Sequence, residues 1–118
     1  MSRLSTLLAG GALSLWLASA APAHSLLLDS SPAAEAVVRS APGVALRFNN
    51  RIEKKLSQLR LVPPRGEPQV LPLGTGGAVD ALEAPLPPLM PGRYRVEWRV
   101  LSTDGHVVSG AFAFSVSP

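Results

Sequence analysis

Polar and apolar residues alternate without a break through residues 93–100, where Tyr94, Val96, Trp98 and Val100 fall on one side and Arg93, Arg95, Glu97 and Arg99 on the other. A period of two marks a strand with one face buried and one in water. Residues 111–116 repeat the pattern with Phe112, Phe114 and Val116 inward, and residues 46–48 and 59–61 are shorter instances. Residues 25–28, 69–71 and 78–82 complete a set of about seven short strands. Turn-forming pieces separate them, among them Ala41-Pro42-Gly43, Pro63-Pro64-Arg65-Gly66, Gly74-Thr75-Gly76-Gly77 and Pro87-Pro88-Leu89-Met90-Pro91-Gly92. The density of proline leaves no room for a long helix, and only residues 52–59 suit a helical turn, with Lys54-Lys55 on a solvated surface. These signals predict an all-β antiparallel sandwich or small Greek-key barrel, without repeats or linkers.

The first 23 residues follow a different logic. Arg3 precedes the apolar stretch at residues 7–17, and small residues follow, ending Ala21-Pro22-Ala23. Charge, apolar run and Ala-x-Ala site in that order describe a secretory signal peptide. A membrane span needs roughly 20 apolar residues, more than this run supplies. The expected mature domain is therefore residues 24–118, exported without a membrane span, and its first residue is His24.

Composition narrows the chemistry. The chain has no cysteine, which removes disulfides, thiolate metal sites and a Cys nucleophile. Its net charge of +3 falls to +2 once Arg3 leaves, and only Lys54-Lys55 place two cations side by side. Nucleic acid is a poor partner for such a surface.

The two histidines carry the remaining interest. An N-terminal His24 offers both its α-amine and its imidazole Nδ1, which close a six-membered chelate on one metal ion. That amine titrates ordinarily at about 7.7–8.0, so metal binding competes with its proton and weakens as pH falls. His106 stands in Ser102-Thr103-Asp104-Gly105-His106, between the two best strands. With extended backbone, Asp104 and His106 lie on one side and face one ion. Three nitrogens and a carboxylate oxygen suit tetragonal Cu(II), with zinc held less tightly. Each piece also has a plainer reading: Asp104-Gly105 is a hairpin signal, His106 a strand-start residue, and His24 a frayed terminus. Met90 reads as turn packing, Trp98 as an inward core residue near enough to report a bound metal, and the arginines of residues 93–99 as a solvated strip or edge protection, with docking of an acidic partner as the lesser reading.

With these residues in view, the sequence resembles the copper resistance protein C (CopC) family. The likeness lies in His24 after Ala21-Pro22-Ala23, Leu27-Leu28-Asp29-Ser30-Ser31-Pro32-Ala33, Leu46-Arg47-Phe48, and the run from Gly92 through Asp104-Gly105-His106 to Gly110-Ala111-Phe112-Ala113-Phe114. It implies an immunoglobulin-like Greek-key β-barrel or sandwich with one Cu(II) per chain, held by His24, Asp104 and His106. It also implies a periplasmic carrier or buffer in copper resistance, partnered by an inner-membrane copper transporter of the CopD type. Some family members add a Glu ligand where Asn50 stands here, and Asn50 is left outside the ligand set. Others carry a Met-rich segment with a further His for Cu(I); this chain has only Met90 and no third His.

Two other classes compete. A copper brace of the polysaccharide monooxygenase kind uses the same terminal His, but those domains are much longer and the present chain is read as no enzyme. A metal-free immunoglobulin-like interaction module is the third reading, favoured if cleavage misses Ala23. Nothing in the sequence argues for an oligomer over a monomer.

Overall fold

Eight strands form in the computed structural model, which describes residues 26–118. They are β1 (Leu27–Ser31), β2 (Val37–Val38), β3 (Gly43–Phe48), β4 (Gln58–Val62), β5 (Gln69–Val70), β6 (Ala81–Pro85), β7 (Gly92–Leu101) and β8 (Val107–Val116). The expected leader and His24 lie outside the described residues.

The strands make a sandwich of two sheets, with orders β1-β3-β6 and β2-β8-β7-β4-β5. The chain crosses between sheets after β1, β2, β3, β5 and β6, so strands adjacent in sequence are often apart in space. Alternation decides what is buried: Val44, Leu46 and Phe48 of β3 and Leu82 and Ala84 of β6 meet Leu59, Leu61, Tyr94, Val96, Trp98, Val100 and Phe114 from the other sheet. Removing each large apolar side chain from water contributes about 1.5–3 kcal/mol. Phe48 stands edge-on to Trp98 with ring centroids 5.2 Å apart, and Tyr94 stacks on Phe114 at 5.7 Å.

The sandwich matches the sequence expectation, with local corrections. There are eight strands rather than about seven, because Val37–Val38 pairs in parallel with the end of β8; two residues carry no periodic signal. The strand expected at 78–82 lies at Ala81–Pro85, where Leu82 and Ala84 turn inward and Pro85 is tolerated at the end of an edge strand. The helical turn at 52–59 shrinks to a single 3₁₀ turn, Lys54–Leu56. Edge protection does not explain the arginines of β7, because β7 is an interior strand hydrogen-bonded to both β4 and β8. Among the described residues, no helix is long and apolar enough to cross a membrane.

Candidate metal site

The connection from β7 to β8 concentrates polar chemistry at one end of the sandwich. Ser102, almost fully buried, donates its N–H to the His106 carbonyl at 3.0 Å, and Gly105 N–H donates to the Ser102 carbonyl at 2.9 Å. Closing this turn needs φ of +92° at residue 105, a region that glycine enters without a Cβ clash.

The turn folds the Asp104 carboxylate back over itself. Its Oδ1 accepts from the Ser102 hydroxyl and from the His106 backbone N–H at 3.1 Å, and lies 3.2 Å from His106 Nδ1. These contacts favour the ionised form, so the Asp104 pKa falls from 3.8 to about 2, chiefly through the Ser102 hydroxyl, then the His106 backbone and its imidazole. All of these contacts use Oδ1, which leaves Oδ2 to face another cation. Coordination of a metal through His106 Nε2 would keep the Nδ1 contact with the carboxylate, the arrangement that orients many metal-bound histidines.

A second segment braces this turn. Ile52 bridges Ser102, Thr103 N–H donates to the Arg51 carbonyl at 3.2 Å, and Glu53 N–H donates to the Leu101 carbonyl at 2.9 Å. Just before it, Asn49 clamps the start of the described chain from both sides. Its Oδ1 accepts from Leu26 N–H at 2.7 Å and its own N–H donates to the Leu26 carbonyl at 3.0 Å. Residues 49–53 thus link Leu26 to the turn that carries Asp104 and His106.

Of the three ligands expected from the sequence, the fold brings Asp104 and His106 together, both partly exposed, while His24 lies outside the described residues. Among the described residues, no three His, Cys, Asp or Glu side chains converge to hold a metal. The pair therefore supplies an anionic oxygen and an imidazole nitrogen, and a tetragonal ion needs donors from elsewhere. Sequence reasoning did not single out Ser102 or Asn49. Ser102 was legible only as the residue two before Asp104, and Asn49 was overshadowed by Asn50, which is half-buried beside it. Trp98 is inward as expected, and its indole lies over Gly110, where an added Cβ would come within 2.2 Å of Cζ2.

The molecule is thus a largely antiparallel β-sandwich that presents a carboxylate–imidazole pair from one inter-strand turn. The CopC domain matches residues 27–117, and the chain belongs to the CopC family. Its relatives include copper resistance protein C of Escherichia coli, 30% identical over 125 residues that cover 98% of this chain and 99% of that protein. Protein YobA of Escherichia coli strain K12 is 35% identical, covering 80% of this chain and 79% of its own length. Among solved structures, CopC from Methylosinus trichosporium OB3b superposes with a TM-score of 0.71 at 35% identity, over 80% of this chain and 95% of that one. PcoC, described as a methionine-rich copper resistance protein from Escherichia coli, gives 0.69 at 29% identity, over 80% and 100%.

Proposed function

We propose that this protein is an extracytoplasmic Cu(II)-binding protein that carries or buffers copper in copper resistance, holding one Cu(II) per chain. The ligands in this reading are the α-amine and imidazole of His24 with Asp104 and His106. The observation that carries it is the preformed Asp104–His106 pair, its carboxylate ionised at neutral pH, on a turn linked through residues 49–53 to the strand that follows His24. Leu26 is two residues from His24, a reach of about 7 Å at most, so the Asn49 clamp limits how far a terminal chelate strays from that end of the sandwich. Kinship with proteins named for copper resistance supports the same reading.

On this reading residues 1–23 are removed on export, the mature chain works as a periplasmic monomer, and copper passes to a membrane transporter of the CopD type. Copper is cargo here and no reaction is assigned to it.

A Cu(II) titration, with electron paramagnetic resonance and Trp98 fluorescence, tests the reading by comparing residues 24–118 with a version bearing one extra residue before His24. Tight binding of one copper in a tetragonal, nitrogen-rich site by the first form alone is the expected result. Equal binding by both, or by neither, would overturn the terminal chelate and return the domain to a metal-free interaction module.

A further inference from the structure

The outer face of the five-stranded sheet carries a row of charge that the fold does not need. On β7, Arg93, Arg95, Glu97 and Arg99 point away from the core, and Arg60 of β4 lies directly opposite Glu97. Outward charges commonly protect sheet edges, yet β7 is interior to the sheet, where that role does not arise.

Internal neutralisation does not account for the row either. Glu97, the one carboxylate on the strands of this face among the described residues, binds both Arg60 and Arg95, which hold its pKa below the ordinary range. Arg93 makes a forked pair with Glu35 at 2.9 Å on each arm. Arg99 sits between Gln58 and Ser109 and meets no carboxylate among the described residues. Four arginines against two glutamates leave an excess of two positive charges. On β8 the positions facing Arg93, Arg95 and Arg99 are Ser115, Ala113 and Ser109, where a sheet balanced within itself would place acids.

We infer that this face, centred on β7 between β4 and β8, is a docking surface for an acidic protein partner that presents carboxylates along an extended segment. Outward residues on a strand recur every 6.6–7 Å or so, which spreads Arg93 to Arg99 over roughly 20 Å. The small side chains of β8 leave the guanidinium groups standing beside an open trough of about 390 Å³, lined by Gln58, Arg60, Arg95, Glu97, Arg99 and Ala111. Every cation on the face is arginine, whereas Lys54 and Lys55 sit on the separate 3₁₀ turn. Arginine matches carboxylates bidentately and is enriched in protein interfaces from which lysine is depleted. The face offers no continuous apolar patch among the described residues: Trp98, which also borders the trough, is buried, Leu101 and the exposed Val107 stand at the far end of β7 and β8, and the exposed Val37 and Val70 stand on the two edge strands. These features favour a protein over a membrane surface. The inference does not rest on the copper reading, although Arg99 lies three residues before Ser102 and would set a bound partner beside the turn.

The test is a nuclear magnetic resonance titration of the secreted protein with a peptide of alternating Glu and Ser, about ten residues long. Amide shifts confined to β4, β7 and β8 are expected. Combined Arg93→Gln, Arg95→Gln and Arg99→Gln should weaken binding by about tenfold or more, while Lys54→Gln, Lys55→Gln and Arg65→Gln, which remove equal charge elsewhere, should change it by less than about twofold. Far-UV circular dichroism checks both variants for folding, and the single Arg99→Glu variant, expected to weaken binding in the same direction, stands in if the triple variant is unfolded. Absent binding, equal loss in both triple variants, or shifts centred on residues 51–55 would overturn the proposal. So would arginine-dependent capture by phosphatidylglycerol vesicles without peptide binding.

Discussion

The two ends of β7 are capped by loops of opposite character. At its start, Pro63, Pro64, Leu89, Met90 and Pro91 gather around Tyr94 and border an apolar groove of about 430 Å³. The one polar group of Tyr94 is used up there, its hydroxyl donating to the Met90 carbonyl at 2.7 Å, and prolines bring no N–H of their own. At its far end the turn from Ser102 to His106 gathers a hydroxyl, a backbone N–H and an imidazole nitrogen around one carboxylate oxygen, Oδ1 of Asp104. The same strand thus ends in one apolar mouth and one polar mouth, and only the polar one gathers groups that favour a cation.

The largest effect should come from removing the imidazole. His106→Ala is expected to lower Cu(II) affinity by more than the roughly 10–100-fold that loss of an outer-shell partner costs, while Met90→Ala leaves it unchanged. A competition titration with a Cu(II) chelator measures both, and equal losses would erase the distinction between the two mouths.

The next largest effect is on stability. Gly110→Ala would press a methyl group against the Trp98 ring, with Cζ2 at 2.2 Å and Cε2 at 2.7 Å. Overpacking of this kind costs about 1–3 kcal/mol. Urea denaturation should report that loss, whereas Gly76→Ala, with open space around it, should fall within about 0.5 kcal/mol of the parent.

Ser102→Ala gives the smallest change and the most local one. Losing the hydroxyl should cost about 1 kcal/mol and let the Asp104 pKa climb from about 2 toward 3.8. The sign follows from the depressed folded value: the stabilisation from ionised Asp104 is complete above the unfolded value near 3.8 and is lost as pH falls through about 2. In the metal-free variant that acid loss should be smaller and should finish at higher pH. A carbon-detected titration of the Asp104 carboxyl follows the shift directly, and an unmoved pKa would show that Ser102 does not hold the carboxylate.

Much of this was readable from the chain. Residues 93–100 and 111–116 alternate so strongly that β7 and β8, and the inward placement of Tyr94, Trp98 and Phe114, follow from hydrophobicity alone. Asp104 and His106 were legible as a pair from their two-residue spacing, but a turn with Gly105 at φ +92°, and not the extended backbone expected, brings them together. Val37–Val38 was not, since two residues have no period, and Asn49 was not, since its role depends on Leu26, 23 positions away. Nothing local in the sequence shows that Ser102 is buried beneath Asp104.

By itself, then, the sequence determined the class of fold, the two strongest strands and which side chains have the chemistry of cation ligands, because alternation and side-chain chemistry are local properties. Tertiary structure decided which polar atoms share one carboxylate oxygen, which asparagine holds the first strand, and that the arginine row crosses the middle of a sheet. Those depend on register between distant strands, where free energy is gained only after residues far apart in the chain have met.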